Sequence, residues 1–278
     1  MIRLVHIELI KLFSSKRTYI TMAIAASLLL IINIGLYSDG EDLLAFALES
    51  ISDYFYIEGT IINGYLIAYL SLNSLWVHIP LLIIIVTTYI FSSEFEYGTI
   101  KVLLAQNVSR TQLLAAKIIA MIIFNFIFMV VIAFLALVPS TFVFGKGDVM
   151  VFISGVQFIL EDSFLLRYSC AILFATLAMI AFSSMAIYLA LVFRNTLTSI
   201  LGAFGILIAS TLLQTFIFGI FSAVQKFLFT YHFANWQLFF VSEIPKSEIW
   251  QSVIFMIIMT VVFLSVSWFK FSKMNITE

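Results

Sequence analysis

Residues 93–117 read SEFEYGTIKVLLAQNVSRTQLLAAK and carry Glu94, Glu96, Lys101, Arg110 and Lys117. On each side stands an uncharged apolar run, 64–91 before it and 118–144 after it. A hydrocarbon core of about 30 Å needs about 20 helical residues to cross it. Each flanking run is long enough. The charged stretch therefore reads as a surface segment held between two membrane spans, and the rest of the chain can be tested against that reading.

Composition agrees. The chain has 278 residues, 63% of them hydrophobic and only 10% charged, with a mean hydropathy of +1.15. A soluble domain carries about 25% charge. This much apolar surface exceeds what one core can hold, so the excess faces lipid. Six runs are long enough to span: Tyr19–Tyr37, Gly64–Phe91, Leu113–Phe144, Tyr168–Phe193, Leu197–Val224 and Ile249–Phe269. The second, third and fifth exceed the minimum and are expected to tilt or to project beyond the bilayer. Pro80 and Pro139 are expected to kink their helices, since proline lacks the donor and crowds the preceding turn.

Lys and Arg counts orient the spans. Ten lie in the N-terminal segment, in 92–117, at Arg194 and in the tail, against four in the intervening segments. That places both termini, the 92–117 segment and the Arg194 turn in the cytoplasm. The first outer loop has six carboxylates (Asp39, Glu41, Asp42, Glu49, Asp53 and Glu58) and no basic residue. At the N-terminus, Val5, Leu9, Leu12 and Phe13 share a helical face, and Arg3, Lys11, Lys16 and Arg17 supply positive charge. Residues 1–17 therefore suit a helix in the headgroup layer. With no clear small-residue cleavage site after it, the first apolar run is expected to be a retained span. On the outer side, Leu43, Leu44, Phe46, Ala47, Ile51 and Phe55 suit a surface helix. The aromatic-rich segment 225–248 suits an interfacial or re-entrant element. No internal repeat or linker divides the chain, so 1–278 reads as one all-α polytopic domain.

Several chemistries lack their residues. No phosphate-cradling G-x-x-x-x-G-K-[ST] loop is present. His6, His78 and His232 are far apart in sequence, and Cys170 stands alone, so no metal site is offered. His78, inside the second span, reads as a packed or interhelically bonded side chain. No span has a carboxylate, lysine or arginine near its middle, where ion-coupled carriers need one. Asn33, Asn73, Asn125 and Gln214 read as interhelical hydrogen-bonding groups, and Gly202, Ala203, Gly205 and Ala209 as sites of close helix approach.

Within the central segment, Gly98 and Thr99 are expected to start a short helix, with Thr99 as N-cap for Ile100 to Ala105. Ser109 should cap the third span. Ile100, Leu103 and Leu104 would then form an apolar ridge flanked by charge, which suits docking of a soluble protein. The pattern E-x-E-x-G-T-I-x-x-L-L followed by S-R-x-x-L-L-x-x-K resembles the segment between the second and third spans of type 2 ATP-binding-cassette exporter permeases. The basic amphipathic N-terminus resembles that family's elbow helix, and the six-span order fits over the whole chain. One departure is Asn107, where many relatives have proline.

The resemblance implies a permease subunit without its own ATPase. It implies a substrate path formed with a second permease subunit, identical or not, and separate ATP-binding subunits that hold ATP and Mg. Residues 92–112 would be the coupling segment, with Glu94, Glu96, Gly98, Thr99, Ile100, Lys101, Leu103, Leu104, Ser109 and Arg110 as its contact residues. Glu94 and Glu96 would pair with basic groups or brace the elbow, and Arg110 would anchor the helix that follows. The chain would be a multi-pass protein of the inner (cytoplasmic) membrane, in contact with lipid and not with nucleic acid. An apolar, uncharged path suits hydrophobic or amphipathic cargo better than a small ion. A membrane enzyme is disfavoured for want of paired carboxylates or histidines at depth; a non-transporting anchor or sensor with this fold is the alternative.

Overall fold

The computed structural model describes residues 1–48, 62–105, 108–153, 155–216 and 222–274, without the side chains of 41–48, 104, 222 and 223. Helix α1 (Ile2–Phe13) turns at Ser14 and Ser15 into α2 (Lys16–Leu48). Then come α3 (Gly64–Leu75), α4 (His78–Glu96), the five-residue α5 (Ile100–Leu104) and α6 (Arg110–Phe144). A hairpin of β1 (Val149–Phe152) and β2 (Val156–Ile159) leads to α7 (Glu161–Phe193) and α8 (Thr196–Phe216). Short α9 (Ser222–Gln225), α10 (Phe229–Ala234) and a 3₁₀ helix (Asn235–Phe240) precede α11 (Lys246–Lys273). Helices α2, α4, α6, α7, α8 and α11 are long and apolar enough to cross a membrane. The fold is an all-α polytopic membrane protein.

Helix α7 is the centre, packed against α4, α6, α8, α11 and the 3₁₀ helix. Most of it is buried, whereas α2, α8 and α11 leave their apolar faces largely exposed. The second span is interrupted at Trp76 and Val77, one turn before Pro80, rather than at the proline itself. Proline 80 has no N–H for the Trp76 carbonyl, and it disfavours helix in the residue before it. Dihedrals at Trp76 (−54°, −39°) and Val77 (−70°, −29°) stay helical, so α3 and α4 form one crossing. Proline 139, expected to kink α6, lies inside a helix that runs unbroken from Arg110 to Phe144.

The polar residues of the spans do tie helices together. Ser71 Oγ and Ser140 Oγ both donate to Asn33 Oδ1, at 3.1 and 3.0 Å, joining α2, α3 and α6. Asn125 on α6 bonds Ser183 on α7 at 3.0 Å, and Ser183 meets Thr87 on α4 at 3.3 Å. Asn73 accepts from Gln237 in the 3₁₀ helix at 2.5 Å. Gln214 joins through its backbone, its carbonyl accepting from Gln225 at 3.0 Å. The small residues of α8 divide: Ala203 is buried and a Cβ on Gly202 would meet the Phe193 ring, whereas Gly205 faces open space. His78, expected to be packed, is exposed at the first position of α4.

At the hairpin end of the bundle, Asn63 caps α3 by accepting from Tyr65 N and Leu66 N at 3.1 and 3.0 Å, and its amide donates to Asp148 O at 2.7 Å. Gly64 lies directly against α6, where a Cβ would strike Thr141 Cα and the Ser140 carbonyl. The aromatic segment 225–248 runs along α7. Phe229 and Phe233 meet Phe182, and Phe240 meets Phe164. Phe182 and Phe164 are separated by about 27 Å of helical rise. Arg167 fixes the far end by donating to the carbonyls of Phe239, Val241 and Ser242 at 3.1, 2.6 and 3.1 Å. The hairpin was not expected. Of the outer surface helix, α2 reaches Leu48, while Ile51, Phe55 and the side chains of Leu43, Leu44, Phe46 and Ala47 lie outside the described residues, as do Asn107 and the 217–221 part of the fifth run.

Candidate functional site: the central segment and the elbow

Helix α1 carries Glu8, Lys11 and Leu12 at spacings of three and four, which puts them on one face. That face packs on α6, with Glu8 and Leu12 buried. Glu94 arrives on the last turn of α4, and Lys117 on the second turn of α6. The four charges close into an alternating ring. Lys11 Nζ lies 2.9 Å from Glu8 Oε1 and 2.9 Å from Glu94 Oε1. Lys117 Nζ lies 2.9 Å from Glu8 Oε2 and 2.9 Å from Glu94 Oε1. Lys117 also donates to the Ile90 carbonyl at 2.9 Å. Side chains of Glu8, Lys117 and Glu94 are only 4%, 4% and 8% exposed.

Buried charges survive only when paired and hydrogen-bonded. Here two carboxylates meet two ammonium groups, so the ring is neutral as a whole. Burial would raise the Glu8 carboxyl, but Lys117 and Lys11 outweigh it and hold it below its ordinary value. Burial would likewise lower Lys11, but Glu8 and Glu94 reverse that and hold it above its ordinary value. One acceptor is left over: Glu94 Oε2 is buried without a hydrogen-bond partner among the described residues.

The other polar residues of the segment reach different helices. Among the described residues Glu96 pairs with no base. Its Oε2 accepts from Thr196 Oγ1 at 2.6 Å and lies 3.4 Å from Thr196 N, at the start of α8, where a carboxylate suits the positive helix end. Thr196 Oγ1 is also 2.8 Å from Ser92 Oγ. Arg110 reaches the end of the last span rather than its own helix, donating to Met274 O at 2.6 Å and Ser272 O at 3.3 Å. Phe95 and Phe271 meet edge-on beside it, ring centres 6.3 Å apart. Residues 94–110 are thus bonded to α1, α6, α8 and the end of α11 together.

The short helix itself departs from expectation. Thr99 stands at its N-cap position, but its hydroxyl makes no capping bond. Gly98 has φ +69°, a left-handed turn that a side chain would strain. Ser109 does cap α6, in a full capping box with Gln112: Gln112 N donates to Ser109 Oγ at 3.2 Å and Ser109 N to Gln112 Oε1 at 3.3 Å. The expected outward ridge is not formed as a set. Ile100 is turned inward and buried, Leu103 is half-buried, and the Leu104 side chain is not described. The exposed apolar groups are Tyr97 and Val102, at 64% and 62%, beside exposed Lys101. Five residues give α5 only about a turn and a half, so Ile100 and Leu103, three apart, take its inner face and Lys101 and Val102 between them take the outer one.

The chain matches the family of ABC-2 family transporter proteins over residues 4–276. It belongs to that family. An ABC-2 family transporter protein is a membrane-spanning permease component of an ABC transporter, not itself the catalytic part. The match takes in α1, all six spans and the central segment of this ABC-2 protein. Comparison with individual curated proteins finds no match. Glu8 and Thr196 were missed from the sequence. The one signal for Glu8 was a single acid in a basic amphipathic helix, on the same face as Leu12.

Proposed function

We propose that this ABC-2 permease forms the substrate path of an ATP-driven exporter as a dimer, homomeric or heteromeric. Separate ATP-binding subunits hold ATP and Mg and dock on its cytoplasmic face. Both termini are cytoplasmic, as the distribution of Lys and Arg favours, and the chain lies in the inner (cytoplasmic) membrane. Helix α1 is the elbow, lying at the membrane surface. The 225–248 segment re-enters the membrane from outside, a reading favoured by its run along α7 to Phe182.

The observation that carries the proposal is the bonding of residues 94–110. A push on α5 is passed through Glu94 to the elbow and α6, through Glu96 to α8, and through Arg110 to α11. In a packed structure such displacements travel through rigid contacts. Exposed Tyr97, Lys101 and Val102 are the groups that meet the ATP-binding subunit, and Ile100 and Leu103 hold α5 to the bundle. Gly98 supplies the turn that sets its angle, while Thr99 and Ser109 shape the contact around it.

Affinity purification in mild detergent, with identification of the chains retained and an ATPase assay, tests this. The expected result is an ATP-binding subunit that co-purifies, with activity lost on Val102→Asp while the permease stays folded and membrane-inserted. A chain that purifies alone and is indifferent to Val102→Asp contradicts the proposal and favours an anchor or sensor.

A further inference from the structure

A groove of about 730 Å³ opens beside the charged ring, between the α1–α2 elbow, the last turns of α4, and α5. Glu8, Lys11, Glu94 and Lys117 form one wall and cancel, two against two. Lys16 and Arg17 also line it, and among the described residues neither has a carboxylate within ion-pair distance. Arg17 lies instead over the Tyr89 ring, 4.0 Å from its centre. The groove therefore keeps two uncompensated positive charges. It also receives the start of the 33-residue α2, where Ser15 Oγ accepts from Arg17 N at 3.3 Å. A helix N-terminus adds further positive potential. An anionic group, phosphate above all, fits that field.

A second observation names its source. One turn beyond Arg17, an exposed aliphatic face begins on α2: Ile20, Ile24 and Ile31, at 57%, 43% and 63% exposure. They share a helical face by their spacing of four and seven, and that face runs into the membrane from the mouth of the groove. A free phosphate has no use for it. A phospholipid has, with its headgroup against Lys16 and Arg17 and an acyl chain along the isoleucines.

We propose that the groove is a binding site for an anionic phospholipid of the cytoplasmic leaflet. Its opposite rim is Tyr97, Val102 and Leu103, so a bound headgroup bridges the elbow and the segment proposed to meet the ATP-binding subunit. The inference rests on the topology proposed above only in naming the leaflet.

Native mass spectrometry of the delipidated, detergent-purified chain tests it, with phosphatidylglycerol and phosphatidylcholine of matched acyl chains as probes. Neither an ATP-binding partner nor a membrane orientation enters the measurement, so it can fail independently of the proposed function. The expected result is preference for phosphatidylglycerol, reduced about tenfold or more in the Lys16→Ala/Arg17→Ala double variant, as loss of two interfacial cations implies. Lys270→Ala/Lys273→Ala, with the same charge loss at the tail, should keep the preference. The charge-preserving Lys16→Arg/Arg17→Lys variant should keep it too, which separates binding from misfolding. Equal retention of both lipids, equal loss in the two alanine pairs, or retention of inorganic phosphate in place of lipid would each overturn the proposal.

Discussion

Lys117 is a lysine with a side chain only 4% exposed, and it is tolerated because it donates to Glu8 and the Ile90 carbonyl and lies in ion-pair contact with Glu94. Removing it leaves two buried carboxylates facing Lys11 alone. Breaking a buried pair in this way costs about 3–5 kcal/mol. Thermal unfolding in detergent should accordingly show Lys117→Ala strongly destabilised, with Glu8→Gln/Lys117→Met restoring part of the loss. If Lys117→Ala unfolds like the wild type, the ring does not hold the elbow. The pH dependence has a defined sign. Glu8 is held below its ordinary value of 4.5, so its stabilisation is complete above that pH and lost as pH falls through the depressed value. Lys11 is held above its ordinary 10.5, so its contribution is complete below that pH and lost only as pH rises through the raised value. The contributions of Glu8 and Lys11 should be flat through the neutral range, and loss of either contribution near neutrality would contradict this assignment. The same burial makes Glu94→Lys a poor probe of partner docking, because it disrupts the ring first; Val102→Asp reads the surface alone.

At the scale of elements, the close approach of α3 to α6 depends on one glycine. A methyl at Gly64 would meet the backbone of Ser140 and Thr141, which has little freedom to yield. Gly64→Ala should cost about 1–3 kcal/mol, read as a lowered unfolding temperature, whereas Gly205→Ala, in open space, should cost nothing similar. The six crossings were legible because each is an apolar run of sufficient length, and their ends moved mainly where caps decide. Ser109 and Gln112 start α6 three residues before the apolar run at Leu113. The Ser15-Lys16-Arg17 turn starts α2 before Tyr19. The break in the second span fell a turn before Pro80, since the missing donor belongs to a carbonyl four residues back. The hairpin escaped notice because Val149–Ile159 is a short apolar run around Ser-Gly, between two spans much longer than itself. Within the central segment, the short helix and the Ser109 cap were readable, but not which way Ile100 and Val102 face or which neighbour each polar residue meets. Glu96 and Arg110 bond to Thr196 and Met274, a hundred or more residues away, and no local pattern announces such partners.

Taken whole, the molecule has a buried centre in α7 and exposed apolar faces on α2, α8 and α11. The charged segment is bonded at one end to α1, α6, α8 and α11, so under the proposed function a force applied there reaches all four. In that proposal the force comes from an ATP-binding subunit seated on α5. The most direct test places a photo-crosslinking amino acid at position 102 in the intact complex in native membranes. The expected result is a crosslink to an ATP-binding chain, and none from the same group placed at position 158 in the β1–β2 hairpin. If position 102 crosslinks only to lipid or to a second copy of the permease, while position 158 captures the ATP-binding chain, the segment is not the coupling site and the proposed orientation is reversed.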